Sequence, residues 1–342
     1  MKKAIIPLGA AVFALVLWNR CAADLPPVQP KTETAPAPAN ANPVPKDEPK
    51  AEAKPEIKAE IKPEPKQESK SETLSLTEAQ IWYEKGFWFE KQGKSDDAIK
   101  AYDKAIELDP KMYMALLSKS FVLLLAQKYE QAIEPLTKVL EIMPDNINTL
   151  QLKGNLLQET GKYGEAAKTY SKITELDPKN VEIWYMKGYS LRNLNQYEEA
   201  IKAYDKVIEL NPQHINAYCG KGFSECKLKK YDEAIKTYSK AIELAPQNAE
   251  PRFGYALVLE DAGKYDDAIA AYDKTLELNP QYIMAWYEKA RCYALNGDRA
   301  NTLTFLRKAV ELYDKWKEKA GTDQAFKNMW DDQEFKKIIQ QK

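Results

Sequence analysis

Histidine occurs once in the 342 residues, cysteine four times, and 50 Lys and Arg nearly cancel 51 Asp and Glu, leaving a formal net charge of −1. Each shortage excludes something. The one histidine, His214, falls in a turn ahead of a helical stretch, where it suits a surface or helix-start role and has no second imidazole for acid–base or metal work. No Gly-rich phosphate loop is present and no carboxylate pair stands apart from the general run of Asp and Glu. An enzyme is therefore not expected, and no cofactor or metal is assigned. The balanced charge offers no basic field to draw the chain onto nucleic acid. Nor do the cysteines make a framework: Cys219 and Cys226 would lie about 10.5 Å apart along one helix, beyond disulfide reach.

A long hydrophobic run is also missing. The apolar stretch at residues 4–18 follows Lys2 and Lys3 and contains Pro7 and Gly9. As a helix it would reach about 22 Å, short of the roughly 30 Å of a bilayer core. Residues 1–24 are thus expected to be an export signal, cleaved after Ala23 in "CAAD", or left uncut as a membrane anchor. Lipidation at Cys21 is the rival, against which stand Trp18, Asn19 and Arg20, where a lipobox carries a Leu-like and two small residues. The expected location is the periplasmic or extracellular side of the cytoplasmic membrane. Cleavage would leave three thiols, an odd number for an exported protein, so they are expected to be buried or to belong to a host living without oxygen.

Residues 25–73 are rich in Pro, Ala, Lys and Glu, as in "KPEIKAEIKPEPKQESKSE", with almost nothing to bury. They are expected to form a disordered linker, about 150 Å long at full stretch.

What the sequence does have is repetition. "YDEAIKTYSKAIELAP" at residues 231–246 recurs as close variants that end at Pro110, Pro144, Pro178, Pro212 and Pro280, each proline 34 residues beyond the last once Pro246 is included. So strict a period signals stacked supersecondary units. Within one of them, Tyr231, Ala234, Ile235, Tyr238, Ala241 and Ile242 draw one apolar stripe at helical spacing, and Asp232 precedes Lys236 by one turn on the polar side. Pro246 stops that helix. A partner helix precedes it in "INAYCGKGFSECKL", with Tyr218 and Gly222 turned toward it and Gly222 small enough for close approach. Each such hairpin leaves an apolar face that only the next can cover.

These residues resemble the tetratricopeptide repeat family. Trp82, Gly86, Phe89, Ala98, Tyr102, Ala105 and Pro110 match its pattern in the first unit, and Trp184, Gly188, Leu191, Ala200, Tyr204, Val207 and Pro212 in the fourth. Turn residues Gly93, Gly161 and Gly263 fit as well. The resemblance implies an all-α, right-handed α-solenoid of about seven units at 79–112, 113–146, 147–180, 181–214, 215–248, 249–282 and 283–316, within a repeat domain at 74–316. Departures are Ser120 for Gly, Pro135 inside a second helix, Arg252 in place of Trp or Tyr, and Thr302 and Asp314 in the seventh unit. That unit is expected to end in a longer helix. Residues 317–342 are expected to be capping helices, with Asp331 and Glu334 spaced as a capping box.

The resemblance further implies that the first helix of each unit lines an inner groove. The candidate partner-binding positions are Tyr83, Phe87, Leu117, Phe121, Gln151, Asn155, Tyr185, Tyr189, Arg192, Cys219, Phe223, Phe253, Tyr287 and Arg291. Aromatic residues anchor recognition surfaces because they bury much area for few rotamers. The expected partner is another protein, bound as an extended peptide or a helix. Two further readings stand beside this one: a structural spacer or self-assembling envelope element, and a glycan-binding module. The subclass that clamps chaperone tails is not expected, because Tyr83 and Phe87 replace its Lys and Asn and only Asn155 agrees.

Overall fold

A computed structural model describes residues 76–340; the expected export signal and linker lie outside the described residues. Fourteen helices pair into seven hairpins: α1 (Glu78–Lys91) with α2 (Ser95–Leu108), α3 (Tyr113–Leu125) with α4 (Tyr129–Ile142), α5 (Ile147–Glu159) with α6 (Tyr163–Leu176), α7 (Val181–Asn193) with α8 (Tyr197–Leu210), α9 (Ile215–Lys227) with α10 (Tyr231–Leu244), α11 (Ala249–Asp261) with α12 (Tyr265–Leu278), and α13 (Ile283–Leu295) with α14 (Arg299–Leu312). Among the described residues there is no strand.

The hairpin turns explain the glycines. One residue per turn takes a left-handed backbone, and Gly93, Gly161, Gly263 and Gly297 do so at φ 71°, 73°, 75° and 75°. Gln127, Asn195 and Lys229 adopt the same conformation at the other three turns, so the turn geometry persists where glycine does not.

Five of the seven first helices start on side-chain caps, at Thr77, Asn146, Asn180, His214 and Asn248. Asn146 accepts from the Thr149 N–H at 2.9 Å, Asn180 from Ile183 at 3.2 Å, and His214 Nδ1 from Ala217 at 3.1 Å, which gives the histidine its helix-start role. A second recurrent contact holds each of the last four units to the proline before it. The indoles of Trp184 and Trp286 donate to the carbonyls of Pro178 and Pro280, both at 3.0 Å, and the Tyr218 hydroxyl donates to Pro212 at 3.3 Å. Arg252, a departure from the sequence pattern, donates to Pro246 at 3.2 Å and so makes the same contact.

Inside the hairpins, tyrosine rings from the second helices lie on glycines of the first. A Cβ added at Gly86, Gly154 or Gly222 would sit 2.6, 2.7 or 2.7 Å from the ring of Tyr102, Tyr170 or Tyr238. Where Ser120 replaces the glycine, the ring is gone too: Leu136 takes the tyrosine's place, and the serine hydroxyl donates to the Ala132 carbonyl at 2.9 Å. Pro135 is buried and α4 runs through it without a break.

Two expectations for the C-terminus are corrected. The last hairpin helix is no longer than the other second helices, ending at Leu312 with Tyr313 extended. A new helix, α15 (Trp316–Thr322), begins where an eighth unit's first helix would, because Trp316 stacks on Tyr287 with ring centroids 4.2 Å apart. A 3₁₀ turn (Gln324–Met329) and α16 (Gln333–Gln340) follow. The cap of α16 is Asp332, not Asp331: its carboxylate accepts from the Glu334 and Phe335 N–H groups at 2.8 and 3.0 Å. Phe326, Phe335 and Ile338 bury themselves against Leu303, Leu306 and Ala309 and so cover the last apolar face.

Among the described residues nothing covers the other end. At the third and tenth residues of the second unit, Ala115 and Val122 are buried against the hairpin before, and their counterparts in later units are buried as well. In the first unit these are Ile81 and Trp88, 53% and 56% exposed.

Candidate partner-binding face

First helices of neighbouring hairpins touch one another: α1 meets α3, α7 meets α9, α9 meets α11, and α11 meets α13. No two second helices pack to the same extent. The first helices therefore crowd onto one face, and the fifth and ninth residues of each unit, set one turn apart, occupy it.

That face changes character along the stack. At its start Phe87 and Phe121 are 41% and 42% exposed, and Met114 and Leu125 stand open beside them at 45% and 67%. Tyr83 and Leu117 are half-buried between the hairpins, as are Gln151 and Asn155, and the Asn155 side chain accepts from the Tyr170 hydroxyl at 2.8 Å. Tyr185 packs between Tyr204 and His214, with centroids 6.0 and 5.0 Å away. Tyr189 and Phe223 flank Arg192, whose guanidinium carbon lies 4.8 and 5.2 Å from their ring centres.

Toward the end the face closes. Phe253 is buried against Tyr272 and Tyr282, and Tyr287 is wholly buried under Trp316 and Phe326. Arg291 is held by carboxylates from three elements: Glu260 at 2.8 Å, Glu288, and Asp323 at 2.9 Å. These three sequence-predicted positions thus join the last hairpins and the cap instead of an open surface. Cys219, Cys226 and Cys292 are free thiols that burial pushes above their ordinary pKa, to about 12 for the first two.

Met114 and Leu125 were not among the sequence-predicted positions. Their signal was an excess: "YMALLSKSFVLLL" carries more apolar residues than one buried stripe uses. Glu260 and Glu288 were missed because acidic residues on a helix ordinarily face water.

Burial, with Glu288 alongside, raises the Glu260 carboxyl from its ordinary 4.5 to about 7. The folded chain then holds this proton more tightly than the unfolded chain. Its contribution to stability, up to about 3 kcal/mol, is complete below about pH 4.5 and is lost as pH rises through about 7. Glu260→Gln, which still accepts from Tyr272, is expected to flatten this part of the stability–pH curve. An unchanged slope in denaturant titrations between pH 4.5 and 8 would refute the assignment.

Among the described residues no group of three His, Cys, Asp or Glu could hold a metal, and no helix is long and apolar enough to cross a membrane.

Three tetratricopeptide repeat families match the chain, one at residues 79–112 and 181–214, a second at 123–188, and a third at 224–283 and 256–315. The chain carries tetratricopeptide repeats. A TPR repeat-containing protein, MJ0941 of Methanocaldococcus jannaschii, is 50% identical over 42 residues, 12% of this chain and 12% of that relative. The match thus spans about an eighth of the curated relative's length. Among solved structures, a tetratricopeptide repeat protein of Parabacteroides merdae covers 70% of this chain and 96% of its own length at 21% identity, with a TM-score of 0.52, which shows a shared fold. MamA is 27% identical, covering 47% of this chain and 95% of its own, with a TM-score of 0.44. In this chain the TPR hairpins are all-helical, pack consecutively, and present their first helices on one face.

Proposed function

We propose that this TPR chain is a non-catalytic scaffold that takes an extended peptide or a helix of another protein onto its first-helix face. Residues 1–24 and 25–73 would hold it at or outside the cytoplasmic membrane as export signal or anchor and as linker. The observation that carries the reading is the open apolar start of the face, where Phe87, Phe121, Met114 and Leu125 stand exposed together. A solvated surface has no use for such a cluster, whereas a partner side chain does.

The test is capture from host envelope extract on the immobilised whole chain, beside a Phe87→Ser, Phe121→Ser variant. The variant should lose a retained protein with a more than about tenfold drop in affinity. Equal retention by both would reject the groove and favour the spacer or self-assembly reading, which the uncovered Ile81 and Trp88 support. Retention of purified cell-wall material in place of protein would favour the glycan reading.

A further inference from the structure

Among the described residues the most exposed large apolar side chains are Leu125, Trp88, Leu76 and Ile81, and the last three stand together at the start of the stack. Leu76 precedes the N-cap of α1, and Ile81 and Trp88 follow on one side of the helix, two turns apart. Glu78 and Lys85 run along one edge of the same stripe, and both are exposed. Among the described residues neither of them enters an ion pair. A patch of this kind marks a contact surface.

Two kinds of cover do not fit it. A further hairpin of the repeat meets smaller side chains: at the tenth position the internal joints bury Val122, Leu156, Ser190, Ser224, Val258 and Cys292, none of them near the size of Trp88. The far end of a second copy is closed, because Phe326, Phe335 and Ile338 cover it. That end also carries the wrong charge. At three internal joints the seventh residue of a unit is a lysine held by an aspartate of the hairpin before: Lys119 by Asp103 at 2.6 Å, Lys221 by Asp205 at 2.6 Å, and Lys289 by Asp273 at 2.5 Å. Lys85 is the first unit's lysine in this register, and the last hairpin puts Arg307 in the register of the aspartate. The Lys85 ammonium rests instead over the Trp82 ring, 4.3 Å from its centre.

We infer that α1 docks against α1 of a second copy of this chain, antiparallel about a two-fold axis, in a closed dimer. With the axis beside Ile81, that residue meets its own counterpart, Trp88 lies level with Leu76 of the second copy, and Lys85 lies level with Glu78 of the second copy on the same edge of the joint. The two-fold makes the last two contacts occur twice. This register uses every apolar side chain of the patch and gives Lys85 the carboxylate that its equivalents have at the internal joints. Because the surface is complementary to itself, the joint closes at two copies and does not propagate into a fibre. The inference is independent of the peptide-binding reading, since Phe87 lies on another side of α1.

The test is sedimentation of the whole chain over a range of concentrations, with Lys85→Glu and Glu78→Lys variants alone and mixed. The native chain should form a dimer that dissociates on dilution. Each variant alone sets like charges against each other on both sides of the axis, and should dimerise at least about tenfold more weakly with unchanged helical content. The mixture should recover a mixed dimer, because each copy then meets the opposite charge. A native chain that stays monomeric at every concentration, variants that dimerise as the native chain does, a mixture that recovers nothing, or particles heavier than a dimer would each overturn the joint. The Phe87→Ser, Phe121→Ser variant should dimerise like the native chain. Loss of the dimer there would move self-association to the first-helix face and overturn the joint, whereas its retention of a captured protein bears on the peptide-binding reading alone.

Discussion

Replacing Arg291 by Gln is expected to cost about 3–5 kcal/mol, the range found when one member of a buried ion network is removed. Arg291 meets Glu260, Glu288 and Asp323, carboxylates whose side chains are 5%, 7% and 12% exposed. With the guanidinium gone, like charges would face one another out of water. The penalty has a ceiling, because Glu260 is already raised to about 7 and can take up a proton instead. The loss should therefore be smaller at pH 5 than at pH 8. Unfolding of the variant should begin at the C-terminal cap, since Asp323 also accepts from the Tyr287 hydroxyl at 3.0 Å and Tyr287 carries Trp316. Hydrogen exchange resolved along the chain, with denaturant titrations at the two pH values, checks all three points. A loss below about 1 kcal/mol with no change in the exchange of residues 316–340 would mean that the cap is held by its apolar contacts alone.

Gly254→Ala is expected to cost about 3 kcal/mol, against the usual trend for a helix interior, where Ala is better than Gly by about 0.5–1 kcal/mol. A Cβ at Gly254 would overlap the far edge of the Tyr238 ring. On its other side the ring lies against Gly222, where an added Cβ would be 2.7 Å away, so it has nowhere to move. Tyr238→Ala by itself should cost about 3–5 kcal/mol through the cavity it leaves. The two losses should not add: in the Tyr238→Ala background Gly254→Ala should be close to neutral, a coupling of about 2 kcal/mol or more in a double-mutant cycle. Additive losses would mean that the ring is not what excludes the side chain.

Much of this was legible in the residues. Six prolines at a 34-residue interval, the Ala and Tyr stripe and the turn glycines specified helix hairpins and their stacking. Local signals suffice there because a helix face and its stop are written within one unit, and stacking follows from the face each unit leaves bare. The same signals failed at Asp331, since Asp332 and its neighbour both look like caps and only the packing of Phe335 chooses between them.

The candidate site was legible as a row of positions and not as a surface. Sequence placed Phe87 and Phe121 at the ninth position of their units and Phe253 and Tyr287 at the fifth, one turn away on the same face; tertiary structure left the first two open and buried the others beneath Tyr282 and Trp316. Arg252 looked like a lapse until its hydrogen bond to Pro246 gave it the indole's work. The sequence by itself determined the period and the hairpins, because those depend on residues close along the chain, while the choice of the first helices as the groove face came from the family resemblance. Which rings remain exposed and which acids are buried was decided by the next hairpin, since burial and hydrogen bonding belong to neighbours in space.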